Sequence, residues 1–154
     1  MRYLNMYRDT AQGHGYTAEG SQLGWAVPLY VADTDARARE EAKAGIETLF
    51  NNFLPMPWEM LLPPGYTSNA SLKATMKIRT ALGSRARNQT IDELMANGTA
   101  VIGSPRTVLE KIERVREQTG LENLIVMPQF GVMPDEFAKR NMELFASEVM
   151  PKLR

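Results

Sequence analysis

Residues 100–154 read AVIGSPRTVLEKIERVREQTGLENLIVMPQFGVMPDEFAKRNMELFASEVMPKLR and contain two short apolar runs, 100–102 and 124–127. Each run is followed by a loop and then by a segment with helical periodicity. Ser104 suits an N-cap, Pro105 suits the first helical position, and Gly120 suits a left-handed residue after the helix end. The pattern predicts a βαβα unit, in which a right-handed crossover helix joins two parallel strands.

Apolar side chains recur at helical spacing in both predicted helices, the second of which should begin near Pro134 and end before Pro151. We expect them to form the buried stripes that pack on the strands. The positions are Val108, Leu109, Ile112 and Val115 in the first helix, and Ala138, Met142, Phe145 and Val149 in the second.

A further strand is predicted at residues 24–32, where Trp25, Val27, Leu29 and Val31 alternate with Ala26, Tyr30 and Ala32. Pro28 lacks a ladder donor, so we expect it at a bulge or at the start of this strand. Asp33 or Thr34 should cap the next helix, whose apolar positions are 38, 42, 46, 49, 50 and 53. Upstream, residues 1–12 have helical spacing and end at glycines. They look like the tail of a helix whose preceding part is missing or on another chain; a frayed N-terminal helix is the alternative.

Two blocks resemble the bacterial-luciferase-like flavin-dependent monooxygenases. Val27 to Ala36, VPLYVADTDA, is similar to the sixth strand and the start of the sixth helix of that family's barrel. The Gly-Ser-Pro turn at 103–105, Gln129-Phe130-Gly131 and the closing run 142–153 are similar to its C-terminal end. Members fold as (β/α)₈ TIM barrels. The resemblance therefore implies an α/β chain with about three βα units and parallel strands, the C-terminal part of such a barrel.

The resemblance also implies a function. Members use reduced flavin, either FMN or the deazaflavin F420, and the FMN branch uses O₂ to oxygenate a small organic substrate. Barrel enzymes place their chemistry at the carboxyl ends of the strands, which implicates Ser104, Gln129 and Phe130 in cofactor binding. Capping alone also accounts for Ser104 and Asp33. The resemblance does not identify a catalytic residue in this chain.

Residues 54–88 form a lid-like insertion between the strand-plus-helix at 24–53 and the last two βα units at 90–154. Prolines break the segment, and lysines and arginines make it basic. Family members have a mobile segment here that closes over flavin and substrate, so Trp58 should exclude water and Arg79 or Arg85 should reach an anion. A loosely packed insertion with solvated charges is the alternative. Thr90 and Glu93 have capping-box spacing for the short helix that follows.

The composition limits the other classes of function that the chain could have. The chain has 18 basic and 18 acidic residues, no cysteine and one histidine, His14, between two glycines. Because the formal charges balance, the composition does not indicate binding to nucleic acid or to an anionic membrane. No apolar run approaches the ~20 residues of a membrane span, and no metal-ligand spacing occurs. A cytoplasmic protein is expected.

Length sets the last expectation, because a (β/α)₈ barrel needs about 250 residues and this chain has 154. We expect an incomplete barrel that holds no flavin alone and exposes one sheet face. That face should bind an N-terminal barrel portion, or lead to self-association, aggregation or a non-cooperative melt. A non-catalytic remnant or subunit, and a small α/β binding module, are the alternative functions.

Overall fold

The protein, seen in a computed structural model, is described at residues 2–56, 60, 62–63, 65–82 and 88–153, with the backbone alone at 2 and 78–82. Strands β1 (Gly24–Val31), β2 (Val101–Gly103) and β3 (Asn123–Met127) form a parallel sheet in the order β2-β1-β3. The helices are α1 (Arg2–Gly13), α2 (Asp35–Thr48), α3 (Asn69–Leu82), α4 (Ile91–Ala96), α5 (Pro105–Thr119) and α6 (Asp135–Leu144). The predicted parallel α/β arrangement is confirmed.

Local signals in the sequence account for four helix ends. The Thr34 hydroxyl caps α2, the Ser104 hydroxyl caps α5, and Gly120 ends α5 with a φ of 60°. Thr90 and Glu93 form the predicted capping box of α4, with each side chain accepting from the other residue's backbone N–H. These bonds satisfy helix-end donors that would otherwise lack a partner.

The sheet is staggered, and this explains the position of Pro28. Residues 24–28 of β1 pair with β3, whereas residues 29–31 pair with β2. The expectation of a bulge or strand start was wrong, because Pro28 lies inside the central strand. The Ala32 N–H donates to Gly103 of β2, and N–H groups alternate sides along a strand. The backbone nitrogen of Pro28 therefore also points to the β2 side of β1, at a position before the first residue that pairs with β2. Its missing N–H removes no ladder hydrogen bond.

Both faces of β2 and of residues 27–31 of β1 are buried. On one face Tyr30, Ala32 and Ile102 pack with α2 and Ala138 of α6. On the other, Leu29, Val31 and Val101 pack with α5 and Val149. The predicted alternation in β1 is confirmed, but the expectation that helices cover only one face was wrong for these two strands.

The strand order gives the physical reason. Consecutive barrel strands would be neighbours in the order β1-β2-β3, but here β1 is central, and the crossovers from β1 to β2 and from β2 to β3 run in opposite directions across the sheet. Right-handed crossovers in opposite directions place their helices on opposite faces. A parallel strand is apolar on both sides, so this order buries β1 with helices of the same chain.

Two packing predictions were wrong. Phe53 and Met142 are exposed by 60% and 45% instead of buried. α2 continues into a π-helical turn at Leu49–Phe53, which shifts the stripe, and α6 turns Asn141 inward instead of Met142. Residues 54–88 also contain a regular element, the 14-residue helix α3, whose described side chains are almost all exposed.

Candidate functional site

The carboxyl ends of β1 and β2 are joined by the side chain of Asp35. One Asp35 oxygen accepts from the Ser104 N–H at 2.6 Å, and the other accepts from the Thr107 hydroxyl at 3.0 Å. The backbone hydrogen bond from Ser104 is the main cause of a lowered pKa for Asp35. A Cβ at Gly103 would lie 2.8 Å from the Asp35 carboxylate, so glycine permits this close approach.

This contact decides what the Gly-Ser-Pro turn can bind. A helix N-terminus attracts an anion through its free N–H groups, but Asp35 already supplies a carboxylate there. Ser104 is half-buried and also caps α5 by accepting from the Thr107 N–H at 3.4 Å. The turn is thus internally satisfied, and the capping role considered for Ser104 is present in the structure.

The two other predicted cofactor residues follow the carboxyl end of β3, and their side chains point in opposite directions. Gln129 is exposed, whereas Phe130 is 3% exposed and lies in the core beside α2. Gly131 follows with a φ of 59°, and a Cβ there would clash with the Gly45 carbonyl oxygen. The 129–131 turn is therefore pressed against α2, with Gln129 directed outward and Phe130 inward.

Asn141 of α6, which sequence reasoning missed, connects the ends of β1 and β3. Its side-chain oxygen accepts from the Val31 N–H at 2.7 Å, and its amide nitrogen donates to the carbonyls of Leu29 and Pro128, each at 2.8 Å. The residue is fully buried. Because β3 ends at Met127, Asn141 replaces the strand partner that β1 lacks beyond this point. A polar residue within an apolar stripe was the only available signal.

A charged network lies above the same part of the sheet. Glu41 accepts from the Tyr30 hydroxyl at 2.8 Å and from Arg37 at 2.8 Å, and it also pairs with Arg140. Burial, followed by the hydrogen bond to Glu41, raises the pKa of Tyr30 to about 12. Burial alone would raise the pKa of Glu41, but hydrogen bonds from Arg37, Tyr30 and Arg140 lower it overall. The network therefore keeps a neutral tyrosine beside an ionised glutamate.

A groove of about 620 Å³ borders this network. Residues of α2 form the charged wall of the groove. The segment before α6 and the first turns of α6 form its apolar wall. The lining residues include Arg37, Glu40, Glu41, Val132, Pro134 and Phe137. Arg140 stacks over the Phe137 ring at 5.2 Å, and its Nε is buried with no hydrogen-bond partner. The groove could hold a small molecule with a polar end and an apolar body.

The proposed lid residues are only partly described. Trp58 lies outside the described residues, as does Arg85, and Arg79 is described by its backbone in α3 alone. His14 is exposed in the turn after α1, apart from the strand ends. Within the described ranges, no group of three or more histidine, cysteine or acidic residues is placed to hold a metal ion. None of the described helices is long and apolar enough to cross a bilayer.

Comparison with known proteins places the chain in a family. Residues 2–123 match the family model described as luciferase-like monooxygenase. The chain belongs to the luciferase-like monooxygenase family. The resemblance seen in the sequence is thereby confirmed; the match includes the 27–36 block, while the closing run 142–153 lies beyond it.

Curated luciferase-like relatives come from Pseudomonas putida. The chain is 30% identical to 2,5-diketocamphane 1,2-monooxygenase 1 over 146 residues, which are 93% of this chain and 37% of the relative. It is 25% identical to 3,6-diketocamphane 1,6-monooxygenase over 155 aligned positions, which cover 99% of this chain and 38% of that protein. The chain thus spans little more than a third of the length of these relatives.

Solved structures show the same fold relationship. The chain matches the oxygenating constituent of 3,6-diketocamphane monooxygenase from P. putida, a type II Baeyer–Villiger monooxygenase in complex with FMN, with a TM-score of 0.62 and 24% identity. It matches a monooxygenase from Streptomyces bottropensis with a TM-score of 0.57 and 22% identity. These matches cover 98% and 99% of this chain but 39% and 37% of the other chains. The fold is that of part of a luciferase-like barrel chain.

Proposed function

We propose that this chain serves as the C-terminal portion of a flavin-dependent monooxygenase that uses reduced FMN and O₂ to oxygenate a small organic substrate, a cyclic ketone being the first candidate. The observation that carries this proposal is family membership together with the fold likeness to an FMN-complexed Baeyer–Villiger monooxygenase. That likeness favours FMN over F420. The remaining barrel portion would come from a partner segment, and the assembled protein would work in the cytoplasm.

The described residues fit FMN in part. Gln129 is exposed beside the carboxyl end of β3 and can hydrogen-bond a flavin ring, whereas Ser104 follows β2, which lies on the other side of β1 from β3. The flavin phosphate does not fit the α5 N-terminus, because the Asp35 carboxylate occupies it and two anions would repel. Phe130 would act from the core by fixing the 129–131 turn. Bound FMN would supply the redox chemistry, while the protein orients it and excludes water.

Residues 54–88 would then act as the lid, with Trp58 covering the site and Arg79 reaching an anionic group. The exposure of the described α3 side chains supports this role, because a segment with few buried contacts can open at low free energy. The divisions at 1–12, 24–53, 54–88 and 90–154 remain our proposal for the functional units of the chain.

A second candidate is a non-catalytic remnant or subunit. It is favoured by the closed core around β1, which helices of this chain bury on both faces. It is also favoured by the Ser104 turn, whose polar groups already form hydrogen bonds within the chain. The same closed core would also suit a small α/β binding module. In each case the chain would bind partners without flavin chemistry.

Complementation separates these functions. The N-terminal part of 2,5-diketocamphane 1,2-monooxygenase 1, ending where the match to this chain begins, is co-expressed with this chain. We expect a complex that retains FMN through gel filtration, whereas this chain alone should be colourless in the flavin band. Gln129→Ala should weaken FMN binding about tenfold, equal to about 1.4 kcal/mol, and the exposed Gln118→Ala should not. A folded complex without FMN would support the remnant.

A further inference from the structure

Asn51, in the π-helical turn that follows α2, holds Gln89 with both polar groups of its side chain. The Gln89 N–H donates to the Asn51 side-chain oxygen at 2.9 Å, and the Asn51 amide nitrogen donates to the Gln89 carbonyl at 3.0 Å. One turn earlier, the Glu47 carboxylate accepts from the Ile91 N–H at 3.0 Å. The end of α2 therefore fixes the chain where it enters α4.

The buried core ends on both sides of these contacts. Ile46 of α2 lies in the same core cluster as Ile91 and Leu94 of α4. Among the side chains that the structure describes between 52 and 88, none is buried. The chain thus leaves the core after α2 and returns to it at the same place.

Helix α3, within this segment, is held by local hydrogen bonds. The Ser68 hydroxyl accepts from the Ser71 N–H at 3.1 Å, and the Thr75 hydroxyl donates to the Ser71 carbonyl at 2.9 Å. A helix of 14 residues that depends on local bonds is only marginally stable in water. Its opening should therefore need little free energy, since few buried contacts are lost.

We propose that Asn51 and Glu47 keep local unfolding of residues 52–88 from spreading into α4 and β2. Gln89 leads within two residues into α4, which has six residues and precedes β2. If residues 89–91 were free, each opening of the 52–88 segment would extend into a helix too short to be stable alone. With these residues bonded to α2, the 52–88 segment can change conformation while the sheet stays intact.

The capping box of α4 cannot replace these contacts. Thr90 and Glu93 bond to each other, so the box is lost together with the helix. The contacts of Asn51 and Glu47 instead join the start of α4 to α2, which packs in the core with β1 and β2. This inference concerns the chain by itself and does not depend on the proposed flavin function.

Hydrogen exchange of the full chain at low urea concentrations, read by NMR, tests the proposal without any substitution. Amides within residues 69–77 should exchange through a local opening whose rate urea hardly changes, because little surface is exposed. The Leu94 and Ala100 amides donate to the carbonyls of Thr90 and Leu94. They should exchange at least about 100-fold more slowly, through a larger opening that urea promotes.

Asn51→Ala should speed exchange at Leu94 and Ala100 about tenfold or more, the size expected for losing a pair of hydrogen bonds. Because both amides bond to α4 residues, a faster rate reports the spread of unfolding and not the lost bonds themselves. The Val31 amide of β1, which is buried, should keep its rate. Asn52→Ala is the matched control: Asn52 is the next residue and is exposed, so its loss should change none of these rates.

Glu47 gives a second, independent variant. Glu47→Gln keeps an oxygen for the Ile91 N–H and should preserve slow exchange at Leu94, whereas Glu47→Ala should speed it, with circular dichroism confirming that each variant is folded. Equal effects of Asn51→Ala and Asn52→Ala would overturn the proposal. So would unchanged exchange at Leu94 after the loss of either α2 contact, or exchange of α3 and Leu94 through one common opening in the unaltered chain.

Discussion

Asn141 joins two strand ends through one buried amide, and its loss should be costly. Replacing it with alanine leaves the Val31 N–H and the carbonyls of Leu29 and Pro128 without their partner. Unsatisfied buried groups cost about 1–3 kcal/mol each before water enters. We expect Asn141→Ala to lower the free energy of unfolding by about 2–4 kcal/mol in urea titrations.

The neighbouring residue is the control for this measurement. Met142 is exposed on the same helix, so Met142→Ala should change stability by less than about 0.5 kcal/mol. Equal losses for the two variants would contradict the bridging role of Asn141 and restore Met142 to the buried stripe that its spacing predicted.

Asp35 gives a prediction about pH. Its pKa is lowered from an ordinary value of 3.8, first by the backbone hydrogen bond from Ser104. A lowered folded-state pKa means that ionised Asp35 stabilises the fold above the unfolded pKa, and that this contribution is lost as the pH falls through the folded pKa. Asp35→Asn should therefore cost about 0.5–1 kcal/mol at neutral pH, a cap-sized effect reduced by exposure.

The cost of Asp35→Asn should shrink as the pH drops below about 3.8, as measured by urea midpoints from pH 7 downward. Gln118→Ala, at an exposed position of α5 that carries no ionisable group, should show no such dependence. A cost that grows in acid would show that Asp35 is not held as a carboxylate by the α5 N-terminus.

At the scale of elements, α3 should be the first to open. Its described side chains are nearly all exposed, including Lys73 and Lys77, whereas α5 buries Val108 and Ile112 in the core. Local unfolding needs least free energy where few apolar contacts are lost. Limited trypsin digestion should cut first within residues 73–87. Early cleavage within residues 108–116 would contradict both the lid and the packing of α5.

The elements differ in how much of their structure could be predicted from the sequence. Caps such as Thr90 with Glu93, and Ser104 with Gly120, were predictable because their partners lie within one helical turn. The positions of the proposed cofactor residues, by contrast, depend on distant contacts: Ser104 meets Asp35, and Phe130 enters the core because Gly131 can approach Gly45. No local spacing encodes these contacts, nor the π-helical turn that exposes Phe53. Asn141 was missed for the same reason, since two of its three partners, Val31 and Leu29, lie over 100 residues away in β1.

The strand order is a property of the whole molecule. Apolar runs predicted three parallel strands, but a run of residues does not specify its neighbour in a sheet. The central position of β1 follows from burial, because it allows α2 and α5 to cover opposite faces. The sequence resemblance implied the barrel family correctly, and the match to about 37–39% of the solved chains agrees with a partial barrel.

This chain is proposed to complete a luciferase-like monooxygenase. The most direct measurement is ketone oxygenation by the complemented enzyme, supplied with reduced FMN and O₂, with products followed by mass spectrometry. We predict an added oxygen atom in the product only when this chain and the N-terminal portion are both present. A stable, FMN-loaded complex that consumes reduced FMN and never oxygenates a ketone or other small organic substrate would contradict the claim.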